Sequence, residues 1–475
     1  MRRSPWATLA VLALAQFIVV LDVTIVNVAL PNIQADLNFS ADNLQWVINA
    51  YTLLFGGFLL LGGRMSDLLG PRRVFVAGLL LFGATSLIAG LSNSPEFLIG
   101  ARAVQGLGGA LLSPAALAIL TVTFAHGRER NIAMGVWGGL AGLGGTLGVV
   151  AGGVLVDSLS WQWVFFVNVP IVLALVALIP VFIRDTRHNE GRDRTFDTAG
   201  AVLGTAGLLA VVYGVVRSEP KGWGSGEVLT FLIGGVALLI AFVLVEARSK
   251  APLVPLRLFR SRALSVSSAS LALNGAGFLS MFFLTAIYLQ QVRGDSALEA
   301  GVHFLPMGGA AIVGAILASQ LVQKVGTRTV QLGGTGLSVV GLLLLSQADA
   351  VGSYTSQLLP GLIIFGFGII GVGVPGQIAA VSDVEHHEAG AASGVVNAMY
   401  QVGGALGLAI VTTLSISRTT DALTHGVAQQ QALVEGFQRG LLVAAAFAVA
   451  NVVLTLASPQ LQPTAEQLTE AAAAA

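Results

Sequence analysis

The chain is divided into about fourteen apolar stretches, each close to the ~20 residues a helix needs to cross a bilayer. They fall near 6–30, 44–63, 73–92, 97–122, 131–155, 163–183, 197–216, 228–247, 263–291, 301–322, 328–347, 357–382, 390–416 and 437–457. Charged residues are only 10% of the chain, and mean hydropathy is +0.82. A soluble surface needs roughly 25% charged residues, so lipid must be the solvent for most of this chain. In lipid every backbone N–H and C=O has to be satisfied within the segment, which selects helices. The expected class is an all-α integral membrane protein. The first stretch, from Trp6 to Leu30, is too long for the apolar core of a signal peptide and reads as a retained first helix.

The basic residues set the expected topology. Arg217, Lys221, Arg293, Arg418 and Arg439 fall on one set of alternate connections and Arg102 falls inside a helix; the other 18 of the 24 lie on the opposite set. Lys and Arg are enriched on the cytoplasmic side of membranes, so this asymmetry places both termini in the cytoplasm. An Ala/Gly/Val-rich, lysine-poor composition points to a bacterial inner membrane. Net charge is zero, which gives no reason to expect a nucleic-acid partner.

The chain also repeats itself. A shift of 259 residues lays Ala133, Gly135, Val136, Gly144, Gly145, Leu147 and Gly148 on Ala392, Gly394, Val395, Gly403, Gly404, Leu406 and Gly407. Repeated halves are a common way to build alternating access. If the fifth and thirteenth helices correspond, each half has six helices and the seventh and eighth are an insert. The expected division is a six-helix bundle over 1–190, a two-helix insert over 191–255, a second six-helix bundle over 256–460 and a disordered tail over 461–475.

Several residues within this frame carry chemistry. Asp22 lies eight residues before the expected end of the first helix at Leu30, roughly 12 Å below the outer surface. Acids inside a membrane are expensive, and those that persist usually have a function. Arg102 lies five residues into the fourth helix, at a comparable depth of roughly 8 Å. It cannot release its proton, so it would tune Asp22 or hold substrate. The cytoplasmic turn from Gly63 through Asp67, Gly70, Arg72 and Arg73 is dense in charge and turn residues; its acid suits a helix N-terminus. The fifth helix carries Gly144, Gly148, Gly152 and Gly153; a spacing of four makes a smooth face for close packing. Polar residues inside other spans include Asn27, Tyr51, Gln105, Asn274, Asn397, Tyr400 and Gln401. They are candidate cavity residues, against the plainer reading of helix-to-helix hydrogen bonds.

Other chemistry is not indicated. There is no cysteine, no histidine spacing for a metal, no phosphate-binding Gly-Lys-Ser/Thr loop and no nucleophile–base constellation. No cofactor and no enzymatic activity are expected. A membrane-embedded transferase would need an acidic cluster, and the run from Asp383 to Glu388 is the single candidate; it sits where a helix begins and anions suit the dipole.

The motifs resemble those of the major facilitator superfamily, in its fourteen-helix drug:proton antiporter branch. Leu21-Asp22-Val23-Thr24-Ile25-Val26-Asn27-Val28-Ala29-Leu30-Pro31 is similar to that branch's first-helix signature, and the Gly63–Arg73 turn resembles the superfamily's loop motif. Arg102-Ala103-Val104-Gln105-Gly106, the stretch from Trp161 to Pro170 and that from Glu388 to Gly407 look like the same branch. The resemblance implies export of small amphipathic molecules, such as drugs, dyes or antibiotics, by a monomer that rocks around a central cavity. It assigns proton coupling to Asp22 with Arg102. It makes the turn a conformational latch, with Asp67 against the end of the thirteenth helix near Glu388. Uptake or lipid flipping by the same fold is the alternative. One departure is Val149, where the family's fifth-helix motif carries proline.

Overall fold

The computed structural model describes residues 4–124, 128–183, 197–249, 252–254, 256–382, 384 and 389–460. The expected tail and the boundary near 190 lie outside these residues. Within them every regular element is helical. The long helices are α1 (Pro5–Leu37), α2 (Trp46–Leu69), α3 (Pro71–Gly90), α4 (Pro95–Thr123), α5 (Arg128–Ser158), α6 (Trp163–Phe182) and α7 (Thr198–Lys221). They continue as α8 (Gly226–Arg248), α9 (Arg262–Ile287), α10 (Ala297–Val325), α11 (Thr327–Leu345), α12 (Leu359–Ser382), α13 (Ala389–Thr424) and α14 (Gln429–Leu456). Thirteen are long and apolar enough to cross a membrane, and α5 adds a shorter apolar stretch, Leu147–Ser158.

Local chemistry sets the helix ends. Pro5, Pro71 and Pro95 open α1, α3 and α4, where a missing N–H costs nothing. Ser94, Ser225 and Ser261 each accept a hydrogen bond from a first-turn N–H of α4, α8 and α9. Gly70 and Gly326 turn the chain sharply between α2 and α3 and between α10 and α11, with φ of 93° and 81° that a side chain would resist. α1 runs past the expected end at Leu30, through Pro31, to Leu37. Pro31 forfeits only its own backbone donor, and the helix closes at Asn38, whose φ of 54° is one asparagine tolerates.

The helices form two bundles with the same internal contacts. In the first, α5 packs on α1, α4 on α2 and α3, and α6 on α3. In the second, α13 packs on α9, α12 on α10 and α11, and α14 on α11. The glycine seams repeat as well. A Cβ on Gly144 would stand 2.8 Å from Val20 Cγ1, one on Gly148 2.1 Å from Thr24 Oγ1, and one on Gly152 2.9 Å from the Ile25 carbonyl, so α5 lies directly on α1. In the second half, Gly403 and Gly407 meet Ala272 and Ala276 of α9 in the same way. Gly148→Val would push α5 off α1; overpacking of this kind costs about 1–3 kcal/mol. The expected result is a lower melting temperature together with slower transport. A variant matching the parent in both would remove the seam's importance.

α7 and α8 pair with each other, and α7 rests on α2 and α13. Ile233, Val236, Ile240, Val243 and Leu244 of α8 are exposed apolar side chains, as a lipid-facing helix requires.

Below, the face where α1 begins and α14 ends is the terminal face. At the opposite face the bundles meet directly. Asp157, at the end of α5, accepts the first two N–H groups of α10, from Ala297 at 3.2 Å and Leu298 at 2.9 Å. An anion at a helix N-terminus satisfies otherwise orphaned donors and the helix dipole. Beside it, a Cβ on Gly153 would stand 2.4 Å from Leu298 Cα, and one on Gly301 2.6 Å from the Val149 carbonyl. Gln290 donates to the Val28 carbonyl at 2.9 Å, and Gln291 to Gln34 at 2.8 Å. Asp157→Ala removes two charge-assisted hydrogen bonds from this seam, weakened in part by the exposure of Asp157. Spin labels at positions 159 and 302, placed in a chain with no native cysteine, should then report a broader and longer distance distribution. An unchanged distribution would show that Asp157 does not hold the bundles together.

Candidate functional site

The first bundle encloses a polar cluster that water does not reach. Asp22 on α1 and Arg102 on α4 form an ion pair, Arg102 Nη1 donating to Asp22 Oδ2. Their side chains are 0% and 1% exposed. Asp22 Oδ1 accepts two further bonds, from Gln105 Nε2 at 2.9 Å and Asn168 Nδ2 at 3.1 Å. Arg102 also donates to the Gln105 side-chain oxygen at 2.8 Å and, through Nε, to the Val47 carbonyl at 3.0 Å. Its guanidinium carbon lies 4.3 Å from the centre of the Tyr51 ring, a cation–π contact that gains strength without water. Ser86 closes the network: it accepts from Asn168 at 3.0 Å and Gln105 at 3.3 Å and donates to the Phe165 carbonyl at 2.9 Å.

Five helices contribute to this cluster, and a glycine lets two of them come close enough. A Cβ on Gly106 would stand 2.4 Å from the Tyr51 carbonyl. Only glycine lets α4 approach α2 so closely, which puts Arg102 within reach of Val47 and Tyr51. The geometry suits a charge that changes state. A buried ion pair is held strongly against removal of one partner, since the survivor would be a bare buried charge. A proton delivered to Asp22 Oδ2 would meet the Arg102 donor head on, so the proton and the Arg102 contact exclude each other and protonation goes with Arg102 departure.

The other polar residues singled out in the sequence take separate positions. Tyr51 and Gln105 belong to the ion-pair cluster. Asn27 is buried, its amide donating to the Val23 carbonyl one turn back at 2.7 Å. Asn274 donates to the Ile369 carbonyl inside the second bundle at 3.1 Å. Asn397, Tyr400 and Gln401 lie on α13 and are partly exposed. Gln401 faces α2, where a Cβ on Gly56 would stand 2.8 Å from its Cβ. Of the expected turn only Gly70 lies between the helices: Gly63 belongs to the end of α2 and is partly exposed, and Arg72, partly exposed, and Arg73, exposed, belong to the first turn of α3. The Asp67 side chain and Glu388 lie outside the described residues. Sequence reasoning passed over Ser86 and Asn168 as site residues; an asparagine in an otherwise aromatic and aliphatic α6 was the available signal.

Residues 12–408 match the family model described as Major Facilitator Superfamily. The chain belongs to this superfamily. It is a multi-pass integral membrane transporter and not an enzyme. It is 41% identical over 453 residues to a puromycin resistance protein of Streptomyces alboniger, covering 95% of this chain and 90% of that one. It is 38% identical over 449 residues to a cephamycin export protein of Amycolatopsis lactamdurans, covering 94% and 91%. Such relatives are bacterial, which makes the membrane a cell membrane. Among solved structures, a bacterial homolog of the human lysosomal transporter Spinster, inward-facing and unoccupied, aligns over 96% of this chain and 97% of its own, with a TM-score of 0.66 and 16% identity. An autoinhibited POT family peptide transporter aligns with a TM-score of 0.67, 13% identity and coverage of 96% and 98%. Both share the fold.

Proposed function

We propose that this transporter is a proton-driven exporter of small amphipathic molecules of the antibiotic class, with Asp22 as the proton carrier and Arg102 as its counter-charge. The observation that carries this reading is the sealed cluster around Asp22. The carboxylate accepts Arg102, Gln105 and Asn168 from two other helices. Protonation removes its charge and releases Arg102, so α1 and α4 are free to move relative to each other. Substrate and proton then bind alternately to a carrier that rocks between two open states. The energy is sufficient: one charge moving down 100 mV supplies about 2.3 kcal/mol, roughly a fifty-fold gradient.

The names of the relatives support export and an antibiotic-like substrate, since they include puromycin, cephamycin, tetracenomycin C and lincomycin resistance or export proteins. In this reading the terminal face is cytoplasmic and the protein works as a monomer in the bacterial cell membrane. Gly63, Asp67, Gly70, Arg72 and Arg73 with Glu388 form the cytoplasmic latch. Asn397, Tyr400 and Gln401, partly exposed on α13, line the path of the substrate.

The test is purified protein in liposomes containing a pH-sensitive dye, challenged with those four compounds in turn. Export by antiport predicts that a substrate gradient drives protons the opposite way. Substrate moving with protons in the same direction would make the carrier an importer. Substrate movement without any proton flux would remove Asp22 from its role.

A further inference from the structure

A pair of buried carboxyls lies outside the Asp22 cluster, where α7 begins and α8 ends. Asp197 caps the start of α7, its Oδ1 accepting from the Gly200 N–H at 2.7 Å. Glu246 lies near the end of α8, its Oε2 accepting from the Val254 N–H at 3.1 Å. They are 7% and 3% exposed. Each has one oxygen with no hydrogen-bond partner: Asp197 Oδ2 and Glu246 Oε1. The two side chains face each other across Gly200. A Cβ there would stand 2.6 Å from Glu246 Oε1 and 3.0 Å from Asp197 Oδ1.

We propose that Asp197 and Glu246 hold one proton between them, making this junction a proton-binding site separate from Asp22. Two carboxylates buried side by side repel each other when both are ionised, and among the described residues no basic side chain pairs with either, so one shared proton relieves the repulsion. The surroundings decide which one carries the proton. Asp197 sits at a helix N-terminus and accepts a backbone donor, so the anion belongs there. Glu246 Oε1 lacks a donor and lies beside an acceptor. A proton on Oε1 gives that oxygen a donor role on the side that faces Asp197.

The described surroundings are largely apolar. Leu61 and Met65 of α2, Ala201 of α7 and Leu253 and Val254 of the connection after α8 form an apolar cluster beside the pair. Among the described residues, Arg64 of α2 and Arg248 of α8 are the nearest basic residues along those helices, and no ion pair joins either to Asp197 or Glu246; Arg64 Nε is buried without a hydrogen bond.

The site has a mechanical consequence. Glu246 Oε2 holds Val254, and Val254 belongs to the apolar cluster that joins α2 to α7. The connection at Val254 then leads into α9 of the second bundle. Loss of the proton would set two buried anions against each other, expel Glu246 and free the connection. The junction between α7–α8 and the two bundles would therefore tighten when protonated and loosen when not.

The experiment is infrared spectroscopy of the full-length protein in lipid nanodiscs over a pH series, with melting temperatures measured alongside. The parent should show a protonated-carboxyl stretch at mildly acidic pH that disappears on alkalinisation. Its melting temperature should fall over the same interval, because a proton held only by the folded state favours that state by about tenfold per pH unit. Glu246→Gln should abolish this component of the stretch and flatten the melting profile. Asp197→Asn, which keeps a capping side chain, removes the neighbouring anion, so the remaining stretch should disappear at lower pH. A parent spectrum without the stretch overturns the proposal. So does a stretch and melting profile unchanged in either variant. If Glu246→Gln does not fold, the direction of the shift in Asp197→Asn decides.

Discussion

Replacing Asp22 with asparagine should abolish proton-coupled transport while leaving the protein folded in the membrane. Asparagine keeps the size of the carboxylate and can still accept from Gln105 or Asn168, which bond Asp22 at 2.9 and 3.1 Å. It cannot carry a proton. The loss should therefore appear in substrate-driven proton flux, to below the detection limit, while binding of substrate to the detergent-solubilised protein persists. A parental flux in Asp22→Asn would place proton coupling elsewhere. Arg102 would lose its counter-charge in this variant, so some destabilisation accompanies the transport defect.

The second large effect is expected at Arg102. Arg102→Met leaves Asp22 buried, 0% exposed, without its cation. Breaking a buried pair from one side costs about 3–5 kcal/mol, whereas replacing both partners with apolar groups is often close to neutral. Arg102→Met alone should thus be poorly stable, and Asp22→Leu combined with Arg102→Met should recover much of the lost melting temperature. Transport should be absent in both. Additive destabilisation in the double variant would show that the two side chains are not energetically paired.

The helices themselves were legible because lipid imposes one rule everywhere, a long apolar segment with satisfied backbone. Where that rule stops, so did the reading. The end of α1 was expected at Leu30, where the apolar run stops, yet the helix continues to Leu37. The site was legible in its charges. Asp22 and Arg102 are costly in a membrane and stand out at once, and their similar depth follows from helix rise alone. Their neutral partners do not stand out. Asn168 and Asn49 are both buried asparagines in the same bundle, but Asn168 bonds Asp22 and Ser86 while the Asn49 amide has no partner. The apolar setting marks each asparagine alike and does not say which one meets the acid, because Asn168 meets Asp22 across 146 positions. Asp157, Asp197 and Glu246 escaped notice for the opposite reason. They lie near helix ends, where charges are ordinary, and only burial and missing partners set the last two apart.

The sealing of Asp22 bears on the idle carrier. A membrane protein with an exposed acid at mid-depth offers protons a stepping stone, and a cell holding many copies would lose its electrochemical gradient to leakage. Here the acid is wrapped by Arg102, Gln105 and Asn168 and covered by Tyr51 above the guanidinium. In this conformation the Arg102 charge occupies Oδ2, Gln105 and Asn168 occupy Oδ1, and the carboxylate has no exposed surface. Expression of such a transporter would then impose little respiratory burden on its host until a substrate is present to be moved.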